Sequence, residues 1–112
     1  MTAVGVEVGD ADFDRVVADA SVPVLVDFWA PWCEPCRALA PRVRDFAQAH
    51  AGRLTVVSVN VDESPAVAQR HDVLSLPTLI LFSDGRPVAR LRGAVSKKSL
   101  AKTLTPHLEG PT

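Results

Sequence analysis

The stretch VPVLVDFWA, Val22 to Ala30, is apolar at every position except Pro23 and Asp27. A run of this kind leaves no strand face for solvent, so it reads as a strand buried on both sides near the centre of a parallel sheet. Helices must then cover both faces, and the flanking segments have the periodicity to supply them. Phe13, Val16, Val17 and Ala20 follow the i, i+3, i+4, i+7 spacing of one buried helical face, with Asp10 as a candidate cap. From Cys33 to about Ala51, Leu39, Val43, Phe46 and Ala47 mark a second helix, with Pro41 inside it.

The remaining elements alternate in the same way. Thr2 to Val8 and the β-branched stretch LTVVSVNV, Leu54 to Val61, read as strands, and Ser64-Pro65 opens a short helix to about His71. Thr78 to Ser83 and Pro87 to Arg92 read as antiparallel strands joined at Asp84-Gly85-Arg86. Ser96 caps a last helix bearing Leu100, Leu104 and Leu108, and Gly110-Pro111 ends the pattern. The order βαβαβαββα predicts a three-layer α/β/α sandwich, with a mixed five-stranded sheet flanked by four helices.

Length and charge narrow the partners. At 112 residues and 47% hydrophobic, the chain holds one core, hence a single domain over residues 1–112. A formal charge of −1 gives no long-range field for nucleic acid or anionic lipid, and no run is apolar for long enough to span a bilayer. The N-terminus, MTAVGVEVGD, lacks the basic-then-apolar pattern of a secretory signal, which leads to the expectation of a cytoplasmic protein. In the last third, Arg86, Arg90, Arg92, Lys97, Lys98 and Lys102 read as charges that protect an exposed strand edge more readily than as a dock for an acidic partner.

Both cysteines lie in WAPWCEPCRALAP, Trp29 to Pro41. As a staple, a loop of about four residues stabilises by only about 2 kcal/mol in the loop-entropy model. As a zinc clip, the pair lacks two further ligands, because His50, His71 and His107 are dispersed and no second cysteine pair exists. Thiol–disulfide exchange suits the spacing better. Cys33 at the exposed start of a helix meets unpaired N–H groups and the positive end of the dipole, which favour its thiolate, while the more sheltered Cys36 sits one turn behind as the resolving thiol. Pro35 is compatible with the first turn, where its missing N–H costs nothing.

Trp-Cys-x-Pro-Cys after Val-Asp-Phe-Trp-Ala, followed by Leu76-Pro77-Thr78 and Gly93, resembles the thioredoxin family from about Phe13 to Leu108. The resemblance implies a cytoplasmic, monomeric dithiol reductant with no bound cofactor. Its redox-active Cys33–Cys36 pair would pass electrons to disulfide-containing client proteins and regain them from NADPH through thioredoxin reductase. The resemblance also implies that Asp27 relays protons to and from Cys36 and that Pro77 is cis, against a background of roughly one in twenty X-Pro bonds. Trp32, Glu34, Pro35, Leu76, Pro77, Gly93 and Ala94 would border the client. The same fold also admits two other uses: an oxidase or isomerase, which needs a strongly stabilised Cys33 thiolate, and a non-catalytic binding subunit.

Two departures from the family pattern stand out. Ser58 occupies the strand position where many thioredoxins carry a lysine near the aspartate, so Asp27 loses a countercharge and its pKa is expected to rise further by burial. Glu34 replaces the usual glycine between the thiols. Unpaired, it would disfavour the Cys33 thiolate and move the potential by roughly 10 to 20 mV, with the larger effect on partner choice.

Overall fold

The structure, a computed structural model, describes residues 4–108. Strands β1 (Val6–Glu7), β2 (Val24–Trp29), β3 (Thr55–Asn60), β4 (Thr78–Ser83) and β5 (Arg86–Arg92) alternate with helices α1 (Phe13–Asp19), α2 (Glu34–Ala49), α3 (Pro65–Arg70) and α4 (Lys97–Leu104) in the expected order. A 3-10 turn at Thr105–His107 extends α4 and seats Leu108, which is buried. The sheet order is β1-β3-β2-β4-β5. The first three of these strands are parallel, whereas β4 is antiparallel to both its neighbours. Central β2 is buried at all six positions, as its lack of a polar face requires.

Strand alternation sorts the core into two layers. Val24, Val26 and Phe28 of β2, with Ile80 and Phe82 of β4, pack against Phe13 and Val17 of α1 and Val67 of α3. Leu25 of β2, with Leu79 and Leu81 of β4, packs against Leu39, Val43 and Phe46 of α2 and Leu100 and Leu104 of α4. Asp27 has the parity of Leu25, so it points to the α2 side, where the cysteines lie.

Several local readings change once the chain is folded. The strand expected over Thr2 to Val8 spans Val6–Glu7, and its first two positions lie outside the described residues. The ladder starts late because the Val4 backbone bonds the Ser58 hydroxyl instead of the β3 main chain: its N–H donates to Ser58 Oγ at 2.8 Å, and Ser58 Oγ donates to the Val4 carbonyl. Asp10 does not cap α1, whose N-cap is Asp12. Its carboxylate accepts from Val67 N at 2.9 Å and Ala66 N at 3.3 Å, and so caps α3 from a distant point in the chain. Ser64 precedes α3 without a side-chain cap bond, because Asp10 fills that role. Such a cap is typically worth about 1 kcal/mol.

The hairpin forms at Asp84-Gly85, both in left-handed backbone, and β5 is an edge strand as expected. Edge protection applies only to Arg86, Arg90 and Arg92, because Lys97, Lys98 and Lys102 belong to α4. Of the strand arginines, Arg90 also ties the loop after α3, donating to the His71 carbonyl at 2.8 Å and the Asp72 carbonyl at 3.5 Å.

Candidate redox site

The C-terminal end of β2 runs through Ala30 into the N-terminus of α2, and Cys33 is the N-cap of that 16-residue helix. Its sulfur is bonded to that of Cys36 as a disulfide, with Cα atoms 5.3 Å apart. Cys36 N donates to Cys33 Sγ at 3.2 Å, and Cys33 N donates to the Ala30 carbonyl at 3.1 Å. An N-terminal amide is thus directed at one sulfur of the pair, where it favours negative charge on that sulfur once the bond opens. Exposure does not separate the two: Cys33 is 3% exposed and Cys36 2%, so the expectation of an open Cys33 and a sheltered Cys36 is corrected. Trp29 and Ala30, which are buried, and Leu76 and Val61, which are partly buried, pack around both.

Asp27 is 2% exposed and its Oδ1 has no hydrogen-bond partner among the described residues. Burial pushes its carboxyl from 3.8 up to about 7. Ser58 is its register partner on β3 and supplies neither a charge nor a free hydroxyl, since its Oγ is committed to Val4. On the other side its register partner is Leu79. A carboxylic acid so placed gains or loses a proton near neutral pH, as a relay requires.

The other expected site residues converge on the same end of the sheet. Because β4 runs antiparallel to β2, its first residue, Thr78, lies at the end where β2 finishes, and the preceding Leu76–Pro77 bond is cis. Gly93 N donates to the Pro77 carbonyl at 2.9 Å, which joins the two loops. At Gly93 the backbone takes φ +85, a conformation that calls for glycine, and beyond its chain neighbours no residue comes within 4 Å of where a Cβ would sit. Pro35 and Ala94 are exposed, Leu76 is half-buried and Pro77 is buried. Trp32 is 65% exposed, and its indole Nε1 donates to Asp62 Oδ2 at 2.9 Å.

Glu34 is not the unpaired charge that sequence reasoning assumed. Its Oε1 accepts from Arg37 Nη1 at 2.7 Å, and Arg37 Nη2 donates to the Pro31 carbonyl at 2.6 Å. The one-turn spacing was visible in the sequence, and the pair opposes any repulsion between Glu34 and a Cys33 thiolate. Glu34→Gly is therefore expected to move the redox potential by less than about 20 mV while changing the order in which charged clients are reduced. Equilibration with a glutathione buffer and a panel of clients measures both; an unchanged client order with a larger potential shift would contradict it.

Sequence reasoning also missed Asp62 and Leu74. Leu74 is 89% exposed, and with Val61 and Val73 it lines an open groove of about 480 Å³ beside the site. The loop between α3 and β4, HDVLSLP, mixes polar and apolar residues, so the sequence did not single Leu74 out. Among the described residues, no group of three or more His, Cys, Asp or Glu side chains is arranged to hold a metal ion.

The model of the thioredoxin family matches residues 4–106. Thioredoxin 1 of Synechococcus elongatus is 50% identical over 106 residues, covering 95% of this chain and 99% of its own. Thioredoxin 1 of a Nostoc species is 50% identical over 102 residues, covering 91% and 95%. The thioredoxin of Staphylococcus aureus is 45% identical over 103 residues, covering 92% and 97%.

Proposed function

Because this chain belongs to the thioredoxin family and is a protein disulfide reductant, we propose that Cys33 attacks, Cys36 resolves and Asp27 takes up the Cys36 proton. The observation behind this assignment is the Cys36 N–H directed at Cys33 Sγ at the start of α2, because burial alone does not tell the sulfurs apart. In the reduced protein the Cys33 thiolate attacks one sulfur of a client disulfide. The client S–S bond breaks, one client sulfur leaves as a thiolate, and a mixed disulfide forms. The Cys36 thiol then gives its proton to Asp27 and attacks Cys33 Sγ. That step expels the second client thiolate and leaves the Cys33–Cys36 disulfide seen here. Two electrons have passed to the client.

Trp32, Pro35, Leu76, Gly93 and Ala94 form the surface that receives the client, with Glu34 on its rim and the buried Pro77 beneath it, its carbonyl bonded to Gly93 N. The protein works as a monomeric single domain in the cytoplasm and carries electrons between an NADPH-dependent thioredoxin reductase and client disulfides, without a bound cofactor. Among the described residues no helix is long and apolar enough to cross a membrane. Incubation with a thioredoxin reductase, NADPH and a disulfide-bonded protein is expected to consume NADPH only when the chain is present. The variant with both cysteines replaced by serine should consume none. No NADPH consumption by the parent would overturn the electron source, and a serine variant that still held and activated a partner would favour the binding-subunit reading.

A further inference from the structure

The sheet order places the disulfide between two differently charged flanks. β3 lies on one side of β2, and its C-terminal end continues into Asp62 and Glu63, both exposed. β4 and β5 lie on the other side, and there β5 ends at Arg92, opposite Thr78 and directly before Gly93. Arg92 is exposed and makes no ion pair or hydrogen bond with the described residues, unlike Arg90 two positions earlier, which is tied to backbone carbonyls. Arg42 of α2 adds a second cation on this flank. It donates to the Ala94 carbonyl at 2.8 Å and the Val95 carbonyl at 3.0 Å, neutral acceptors that leave its charge uncancelled. From Gly85 to Leu108 there are six Lys or Arg and no Asp or Glu, although Lys97 is paired with Asp45 of α2 at 2.6 Å. At the centre, Glu34 and Arg37 largely cancel each other.

We propose that Arg92 is a specificity-determining residue: it receives a carboxylate of the client segment flanking the attacked cysteine, while Asp62 and Glu63 repel one on the opposite flank. The polarity selects clients with an acidic residue on one side only of the reacting cysteine and fixes the direction in which the client segment crosses the disulfide. This rests on the reading that Cys33 attacks. Exposed charges at an interface rim act mainly on encounter and register, and each changes rates by about two- to five-fold.

The test uses the Cys36→Ser protein, so that the first step is read alone. The probes are three peptides whose single cysteine is disulfide-bonded to thionitrobenzoate. They carry glutamate two residues before the cysteine, glutamate two residues after it, or glutamine at both places. Cys33 attacks the peptide sulfur, and the aromatic thiolate, the better leaving group, departs and is seen by its colour. One glutamate placement should react about two- to five-fold faster than the glutamine peptide and the other more slowly, with both differences collapsing at about 0.5 M salt. Adding Arg92→Ala should remove the acceleration and keep the slowing, whereas Arg86→Ala at the far end of β5 should change neither. Equal rates for the two placements, or an acceleration that survives Arg92→Ala, would overturn the proposal. Failure of the glutamine peptide to react would instead strike at Cys33 as the attacking thiol, and this inference would fall with it.

Discussion

Replacing Asp27 by asparagine is expected to remove a pH dependence of stability worth on the order of 4 kcal/mol. The carboxyl ionises near 3.8 in the unfolded chain and near 7 in the fold, because burial disfavours its charged form. Between those values the native state keeps a proton that the unfolded state has released. Stability therefore falls as pH rises through this interval, by about 1.4 kcal/mol per pH unit, and levels off above the folded value. Below the unfolded value both states are protonated, so the group adds no dependence there. Asparagine is neutral throughout. Urea unfolding of the oxidised protein and of Asp27→Asn between about pH 4 and pH 9 should give a stability difference that moves in favour of the variant as pH rises, then stays constant above neutrality. A difference independent of pH would mean that the carboxylate is already satisfied when charged. The same variant should slow release of the mixed disulfide by about 100-fold or more, the usual loss of a general base, while leaving formation of that intermediate nearly unchanged.

Cys36→Ser has the largest expected effect on turnover. With Cys33 retained, the first exchange proceeds, but the protein has no second sulfur to expel the client, so the mixed disulfide accumulates and multiple turnover falls by at least about 1,000-fold. A loss of that size corresponds to about 4 kcal/mol of transition-state stabilisation, the scale on which a covalent step is removed and not merely perturbed. Non-reducing gel electrophoresis should show a covalent complex with client protein that added dithiol dissolves. Cys33→Ser should show no such complex, because the helix-start amide that favours a thiolate is directed at Cys33 and not at the remaining Cys36. If Cys33→Ser captured client and Cys36→Ser did not, the two roles would be exchanged.

Much of the architecture was legible because its signals are local and redundant. The apolar run of β2, the Asp84-Gly85 turn and the Ser96 cap, whose Oγ accepts from Ser99 N at 3.1 Å, each name their own element. The cysteine pair announced its chemistry by its spacing and its place before a helix. Readings that depended on which side chains meet in the fold went astray. Asp10 looked like the cap of the helix that follows it, yet Val67 N, on another element, is where its carboxylate bonds. Ser58 was recognised as a missing countercharge, but its engagement with Val4 could not be seen from either segment alone. Glu34 reads as isolated in the sequence although Arg37 lies one turn away, because two exposed side chains have many conformations and only the fold shows that they meet.

The sequence by itself determined the order of elements, the burial of β2 and the dithiol chemistry, since periodicity, turn residues and cysteine spacing act within a few residues of themselves. Tertiary structure alone decided which charges surround that chemistry. The β1-β3-β2-β4-β5 order puts Asp62 and Glu63 on one side of the disulfide and Arg92 on the other, although the chain separates these groups by some 30 residues. It also seals Asp27 beside a serine already bonded elsewhere. Charge interactions depend on distance through space and on the water excluded between groups, and neither exists until the strands are side by side.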